Sequence, residues 1–231
     1  MIGTSVKSVL VVAAHADDEA LGCGGTMAAL SASGCAVRVA LMTDGVGARG
    51  GKSDSAQARA RRDAAEKANA ALGAQIAYYG DLPDNQLDTV PLLQIVKIVE
   101  ELVEAHRPDL VLTHHCGDLN VDHQRVHQAV ITACRPQPGH CVRGLLFFEV
   151  PSSTEWQPPG SGATFAPNWF GDISATWPRK QAALQAYATE MRAWPHSRSL
   201  QAVEHLARWR GASVGVPAAE AFVLGRWIER R

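Results

Sequence analysis

Two short stretches of this sequence place histidine beside carboxylates in patterns that could do chemistry. The first, AHADDE, directly follows an apolar run and contains His15, Asp17, Asp18 and Glu19. Carboxylates at a helix start can cap free N–H groups, which accounts for one or two of the acids but not for the histidine. Adjacent carboxylates repel one another unless a cation or hydrogen-bond donors satisfy them. The stretch therefore favours a cation site over a simple helix start.

The second stretch, THHCGDLNVDHQRVH, spans residues 113–127 and is richer still in possible metal ligands. Its polar side chains are those of His114, His115, Asp118, Asn120, Asp122, His123 and His127. A catalytic zinc ion takes about three protein ligands, commonly histidine or carboxylate, and keeps one position for water. The two stretches together predict a Zn²⁺ site, and Fe²⁺ is also accepted by sites of this kind. This interpretation does not require the cysteines as ligands.

Alternating strand and helix patterns bring both stretches to one edge of a predicted sheet. Apolar runs predict strands at 9–14, 36–43, 75–79, 109–113 and 144–150, and a further apolar segment ends the chain. Helices are predicted at 19–33, 55–72, 90–106, 122–134, 179–191 and 200–210. This rhythm is typical of a parallel sheet whose ligands bind beyond the carboxyl ends of the strands. We predict an α/β, Rossmann-like three-layer sandwich with a mostly parallel sheet, formed by a single domain over residues 1–231.

The glycines of GCGG, residues 22–25, raise a different possibility. They resemble the start of the GxGxxG fingerprint of dinucleotide-binding proteins, but the last glycine of the fingerprint is absent and the glycines fall inside the predicted helix. A nucleotide-binding oxidoreductase is therefore kept as an alternative from a different class. The favoured interpretation is that these glycines allow close packing of the helix on the sheet.

Composition restricts the partners and the compartment. The net charge is −1, with 46% hydrophobic and 19% charged residues, which predicts an ordinary soluble protein without a nucleic-acid or membrane partner. The apolar run near the N-terminus is short and ends in charges, unlike a membrane helix or a signal peptide. Five cysteines without a CxxC pair predict reduced thiols and a cytoplasmic protein.

The second half of the chain contains the candidate specificity elements. Residues 151–167 are rich in Pro, Gly, Ser and Thr and are predicted to form a lid or specificity loop. Residues 177–231 are predicted to be a C-terminal segment of helices and a strand that completes the pocket. Within it, His196 and Arg198 lie in the turn WPHSRS and are candidates for substrate binding, since arginine can pair with a phosphate or a carboxylate.

The combined motifs resemble those of the PIG-L/LmbE-like zinc-dependent N-acetylglucosaminyl deacetylases. AHADDEALGCGG is similar to the family signature AHPDDE, and DLNVDHQRVH is similar to its later motif around a DH pair. TDG at 43–45, LPDNQLD at 82–88 and the late AEAF also fit, so that the resemblance covers nearly the whole chain. It implies a hydrolase that removes an N-acetyl group from a small amino-sugar derivative, and a homo-oligomer that is a trimer or a hexamer.

The resemblance also implies roles for individual residues. It makes His15, Asp18 and His123 zinc ligands, Asp17 the general base, and Asp122 a residue that orients or charges a neighbouring catalytic group. Two further residues, Arg61 and Asp84, are implied to contact the sugar.

Two positions depart from the family pattern. Ala16 replaces the proline of the signature, and Asn120 replaces a histidine that stabilises the developing oxyanion in several members. The Asn120 amide can donate a hydrogen bond to an oxyanion but cannot deliver a proton, which would then come from Asp17 or His196.

Other functions remain open at this point. The same machinery could serve an amidase that acts on a thiol conjugate, or a deacetylase in natural-product or surface-polysaccharide synthesis. A non-enzymatic zinc-binding protein is a further alternative.

Overall fold

Strands and helices alternate along the chain as the apolar pattern predicts. The computed structural model describes residues 6–43 and 55–229. The strands are β1 (Ser8–Ala13), β2 (Ala36–Thr43), β3 (Gln75–Leu82), β4 (Leu110–His114), β5 (Gly144–Phe148), β6 (Trp169–Asp172) and β7 (Ala219–Trp227). The helices are α1 (Asp18–Ala32), α2 (Ser55–Leu72), α3 (Leu92–His106), α4 (Val121–Ala133), α5 (Trp177–Ala186) and α6 (Leu200–Ala212).

All seven strands belong to one sheet, in the order β3-β2-β1-β4-β5-β7-β6. The first five strands pair in parallel, whereas β7 is antiparallel to both β5 and β6. The register pairs Val12 of β1 with Ala40 of β2 and with Thr113 of β4. The carboxyl ends of β1 and β4 are therefore neighbours, so the two His/Asp-rich stretches meet at one edge as predicted.

Alternation along β1 divides the core between the two faces of the sheet. Val9 and Val11 point to the core that includes Leu21, Leu72 and Leu184 of α1, α2 and α5. The residues between them, Leu10 and Val12, point to the opposite core, which includes apolar side chains of α3 and α4. Because both faces are covered by helices, β1 is apolar on both sides. The predicted three-layer α/β sandwich is confirmed.

Helix α1 is broken in the glycine-rich segment, where Cys23 has non-helical backbone angles. A Cβ atom on Gly22 would clash with the ring of Phe148, and one on Gly25 would lie 2.7 Å from Ile173. The backbone N–H groups of Gly25 and Thr26 donate to the Glu220 carboxylate at 2.8 and 2.7 Å. The glycines therefore serve close packing of the helix on the sheet, as predicted.

The structure corrects several predicted boundaries. The prediction contains no strand at β6, a short strand that pairs with the end of β7. The helix predicted at 179–191 is α5, which begins and ends earlier, and β3 extends to Leu82. Loop 151–167 contains a short 3₁₀ turn, Thr154–Trp156. Asp44 and Gly45 of the TDG motif lie outside the described residues. Within residues 6–43 and 55–229, no helix is long and apolar enough to cross a membrane.

Candidate metal centre

Three predicted metal ligands meet at the shared edge of β1 and β4. Nδ1 of His15 lies 3.2 Å from Oδ2 of Asp18, and Nε2 of His123 lies 3.2 Å from the same oxygen. The two nitrogens are 3.3 Å apart. His15 is supplied by the turn after β1, Asp18 by the first residue of α1, and His123 by the first turn of α4. The structure thus brings together side chains that are more than 100 positions apart in the sequence.

The geometry of these three atoms suits a divalent metal ion. Ligands about 2.0–2.2 Å from a tetrahedral zinc ion lie about 3.3–3.5 Å from one another, which is close to the separations seen here. Two histidine nitrogens and a carboxylate oxygen converge on one point, and one nitrogen of His123 faces one of His15 directly. Burial lowers the pKa of His123, but the Asp18 and Asp118 carboxylates outweigh it and raise the pKa to about 9. Because a histidine binds metal in its neutral form, an ion would compete with a proton for this nitrogen.

The other ring nitrogen of His15 faces a second pair of carboxylates. Its Nε2 lies 3.0 Å from Oδ2 of Asp122 and 3.2 Å from Oδ1 of Asp84. Both oxygens of Asp122 already accept backbone N–H groups, from Asn85 at 2.7 Å and from Leu87 at 2.9 Å. Carboxylates that accept from the outer nitrogen of a metal-ligating histidine fix its tautomer and orientation. Asp122 and Asp84 therefore suit orientation of His15 better than a second metal site.

Asp118 plays the corresponding part for His123, although its sequence position indicated only one of several possible metal ligands. Its Oδ1 lies 3.1 Å from Nδ1 of His123, although the contact is not a linear hydrogen bond. Burial alone would raise the pKa of Asp118, but contacts with His123, Ser153 and Thr154 hold it at about 2. The only sequence signal was an aspartate within the second His/Asp-rich stretch.

Asp17 directly precedes Asp18 but pairs with a different side chain. Its carboxylate accepts from Nη1 of Arg198 at 2.9 Å. Burial raises the pKa of Asp17 to about 7 against the opposing effect of Arg198, and Asp18, Glu19 and Glu190 also raise it. A carboxylate with a pKa near neutrality is suited to general base chemistry. Arg198 also donates through Nε to Oγ of Ser152 at 3.0 Å.

Glu19 is fully buried and supports the turn that contains Asp17. Its carboxylate accepts from the hydroxyl of Tyr187 at 2.7 Å, from Nδ2 of Asn69 at 3.0 Å and from the backbone N–H of Asp17 at 3.1 Å. Burial raises the pKa of Glu19, while these donors lower it. The last acid of AHADDE is therefore structural.

Asn120 is the N-cap of α4. Its side-chain oxygen accepts from the backbone N–H of Asp122 at 2.8 Å, and its Nδ2 donates to Oδ1 of Asn85 at 3.0 Å. One hydrogen of its amide group is thus used locally. Its role toward an oxyanion stays a prediction.

The remaining substrate-binding candidates, Arg61 and His196, contact residues other than the predicted metal ligands. Arg61 pairs with Glu190 at 3.3 Å, whereas its neighbours Arg59 and Arg62 are exposed. His196 accepts through Nδ1 from the backbone N–H of Arg198 and contacts the edge of the Trp156 ring. Sugar contacts by these residues stay predictions.

Three further histidines of the second stretch are occupied in structural contacts. His114 is fully buried, and its Nε2 accepts from the backbone N–H of Ala14 at 2.8 Å. His115 contacts the carbonyl oxygen of Ala163 at 2.9 Å and so ties loop 151–167 to this edge of the sheet. His127 contacts the carbonyl oxygen of His114 through Nδ1 at 2.9 Å.

Comparison with solved structures supports the fold. The chain superposes on GalB, the 4-carboxy-2-hydroxymuconate hydratase from Pseudomonas putida KT2440, with a TM-score of 0.77 and 23% identity, covering 97% of this chain and 99% of that one. It also matches the N,N'-diacetylchitobiose deacetylase from Pyrococcus horikoshii, with a TM-score of 0.76 and 21% identity, covering 96% and 85% of the two chains. At these identities the two likenesses concern the fold alone.

Sequence relatives include both a deacetylase and a hydratase. The uncharacterized deacetylase YaiS of Escherichia coli is 28% identical over 152 residues, which cover 64% of this chain and 76% of that protein. A 4-oxalmesaconate hydratase of Pseudomonas putida is 28% identical over 216 residues, which cover 84% and 78%. The family of GlcNAc-PI de-N-acetylase, PIG-L, matches residues 10–134, more than half of the chain and the part that contains both His/Asp-rich stretches. The chain therefore belongs to the PIG-L family, as its motifs predict.

Proposed function

We propose that this protein is a metal-dependent hydrolase that removes an N-acetyl group from an amino-sugar derivative. The observation that carries the proposal is the convergence of His15, Asp18 and His123 on one point, with Asp17 next to Asp18 in the chain and paired with Arg198 instead. Membership in the PIG-L family and deacetylase relatives support a hydrolytic enzyme. The identity of the metal and the amino-sugar substrate are part of our proposal.

His15, Asp18 and His123 would hold the ion, for which we propose Zn²⁺, with Fe²⁺ as an alternative accepted by such ligands. When bound, a zinc ion polarises a carbonyl group and lowers the pKa of water to about 7. Asp122 and Asp84 keep Nε2 of His15 engaged, so that Nδ1 faces the other ligands.

Asp17 would take the proton of the attacking water. Its carboxylate is buried, is adjacent in sequence to a ligand and is held by Arg198 rather than by His15 or His123. The leaving amine needs a proton that the Asn120 amide cannot deliver. We propose that Asp17, once it has taken the proton of the water, returns it to the amine. His196 is a second candidate for that step. The Asn120 amide would donate a hydrogen bond to the oxyanion.

The substrate would enter between loop 151–167 and the segment around residue 198. Arg61, Asp84, His196 and Arg198 are our candidates for contacts with it. Arg198 would bind an anionic group if its guanidinium turned from Asp17. By its resemblance to the family the chain would form a homo-oligomer, a trimer or a hexamer, and by its cysteine content it would be cytoplasmic. Light scattering on the purified protein tests the oligomer, and a monomer would contradict it.

A second candidate function is addition of water to an activated double bond. The hydratase relative aligns with a larger share of this chain than the deacetylase relative does, and Arg198 supplies a cation that could bind a substrate carboxylate. In such a reaction the oxygen of water bonds to one carbon of the double bond and a proton is added to the other, so no bond to nitrogen breaks. The same base and metal would serve both reactions.

The nucleotide-binding alternative loses its basis in the structure. Gly22 and Gly25 pack against Phe148 and Ile173 and do not form an open loop after β1. An amidase that acts on a thiol conjugate stays open, because it would use the same groups.

The decisive experiment is a substrate screen with metal-loaded protein. We expect acetate release from one or more N-acetylated amino sugars or sugar conjugates, measured beside a set of unsaturated dicarboxylic acids. Hydration of an acid without acetate release would favour the hydratase. If the protein binds stoichiometric zinc but converts neither class of compound, the result would support a non-enzymatic zinc-binding protein.

The variant that tests the base is Asp17→Asn, which keeps the shape of the side chain but cannot accept the proton. We expect kcat to fall by about 10² to 10⁴-fold while the metal content stays unchanged. Asp63→Asn, at an exposed position of α2, is the control and should keep full activity. Near-normal turnover by a metal-loaded Asp17→Asn variant would show that the base is another group.

A further inference from the structure

Three consecutive hydroxyl side chains, Ser152, Ser153 and Thr154, form the turn that begins loop 151–167. Two of them contact one buried carboxylate of the second His/Asp-rich stretch. Oγ1 of Thr154 lies 2.5 Å from Oδ2 of Asp118, and Oγ of Ser153 makes a very short hydrogen bond to Oδ1. Asp118, Ser153 and Thr154 are all buried. A turn that only crossed the protein surface would not require two of its hydroxyl groups to point into the interior.

The direction of the Thr154 hydrogen bond is determined by a second contact. Oγ1 of Thr154 accepts from the backbone N–H of Val150 at 2.8 Å. A hydroxyl group has one hydrogen, which is therefore free to point at Asp118. The carboxylate of Asp118 also accepts from the backbone N–H of Asn120 at 2.9 Å. These donors hold Asp118 in a single orientation.

That orientation presents Asp118 to the metal ligand His123. Oδ1 lies 3.1 Å from Nδ1 of His123, and this buried nitrogen makes no aligned hydrogen bond within the described residues, so Asp118 is the carboxylate that faces it. A proton on Nδ1 leaves the lone pair of Nε2 directed at Asp18 and His15. The tautomer of a metal-binding histidine is set by the partner of its other nitrogen.

We propose that Ser153 and Thr154 are positioning residues for the metal site, which hold Asp118 against His123 and thereby couple loop 151–167 to metal affinity. The inference rests on the proposed metal-dependent function and adds to it a connection between the loop and the ion. The same turn reaches Asp17 as well, because Ser152 accepts from Arg198. A displacement of the turn would therefore disturb the ligand and the surroundings of the base together.

The test compares two substitutions of one side chain. Thr154→Val keeps the shape but removes the hydroxyl group, whereas Thr154→Ser keeps the hydroxyl. Thr164→Val, at an exposed position of the same loop, is the matched control. The readout is the affinity of metal-free protein for Co²⁺, titrated against a competing chelator, together with the visible absorption spectrum of bound Co²⁺, so that no activity is needed.

We expect Thr154→Val to lose about 10- to 100-fold in affinity, as is typical for partners of metal-binding histidines, and to alter the Co²⁺ spectrum. Thr154→Ser and Thr164→Val should match the wild type. Equal affinity and an unchanged spectrum for a folded Thr154→Val protein would overturn the inference and leave the proposed function intact. If that variant does not fold, Ser153→Ala decides by the same readout. A wild-type protein that binds no Co²⁺ would overturn both proposals.

Discussion

Asp17 and Asp18 are adjacent carboxylates with different surroundings. Asp18 has helical geometry and faces the two ligand histidines, whereas Asp17 has φ of 120°, a conformation that non-glycine residues rarely adopt. Strained backbone of this kind persists where surrounding contacts enforce it. Here the contacts are the ion pair with Arg198 and the bond from the Asp17 N–H to Glu19. The turn thus separates the proposed ligand Asp18 from the proposed base Asp17.

A double-mutant cycle should show that Arg198 acts on Asp17 directly. We expect Arg198→Ala and Asp17→Asn to couple by about 0.5–3 kcal/mol in the free energy of urea unfolding, because the removal of either partner leaves the other buried and unpaired. The exposed pair Arg208 and Glu204 on α6 is the control and should couple by about 0.3–0.5 kcal/mol. Additive effects at Arg198 and Asp17 would argue against the ion pair.

Thiol reactivity gives an independent check on burial. Burial raises the pKa of Cys35 to about 11 and that of Cys134 to about 12, and it raises the pKa of Cys23 as well. A raised pKa lowers the thiolate fraction at pH 8, and the thiolate is the reactive form. A chromogenic disulfide reagent should therefore react fastest with exposed Cys116 and reach these three only in denaturant. The fast phase should vanish in Cys116→Ser, and its persistence would contradict the assignment.

At the scale of elements, the broken helix α1 depends on a buried ion pair from the C-terminal part of the chain. Nζ of Lys180 donates to the carbonyl oxygen of Leu21 at 2.7 Å and to Glu220 at 2.6 Å. Glu220 in turn accepts the free N–H groups of Gly25 and Thr26 on the other side of the break. The pair therefore satisfies backbone groups that the interruption leaves without helical partners.

Breaking this pair should destabilise the fold. We expect Glu220→Gln or Lys180→Met to lose about 3–5 kcal/mol of unfolding free energy, because each leaves a buried charge without its partner. The double variant should lose less than the sum of the two losses. Urea denaturation measures this, with Glu204→Gln at a partly exposed position of α6 as the control. Additive losses would indicate that the two charges act independently.

At the scale of the whole molecule, the site joins four separate segments of the chain. The turn after β1 supplies His15, the segment after β3 supplies Asp84, the region after β4 supplies His123, and the loop after β5 supplies Thr154. Parallel strands place the carboxyl ends of β1, β4 and β5 side by side, which is why such distant segments meet. A bound ion would therefore link much of this edge of the sheet.

Metal removal should lower thermal stability. An ion that binds the folded state at 100 times its Kd stabilises it by about 2.7 kcal/mol, and each kcal/mol shifts the Tm of a chain of this size by about 2–4 °C. We expect a fall of about 5–10 °C on chelation, followed by recovery on addition of Zn²⁺. His123→Ala should show no response to metal. A Tm that is the same with and without chelator would contradict the metal site.

The sequence was most informative where residue types at short spacing by themselves indicate a structural element or a kind of site. Continuous β-branched runs such as that of β1 predicted buried strands, and the two His/Asp-rich stretches indicated the candidate ligands His15 and His123, whose ring nitrogens the fold brings to 3.3 Å. Short β6 was missed because its four residues carry no clear period and are stabilised by pairing with β7. The role of Asp118 was missed because its donors, Ser153 and Thr154, are 35 and 36 positions away.

By itself, the sequence determined the α/β class, the family and the set of chemically capable side chains, since these depend on local periodicity and on residue types at short spacing. Only the tertiary structure decided which carboxylate serves which partner. It turned Asp17 to Arg198, Asp18 to the histidines and Asp118 to His123. Hydrogen bonds and ion pairs of this kind depend on distances of about 3 Å between segments far apart in the chain, which sequence spacing does not specify.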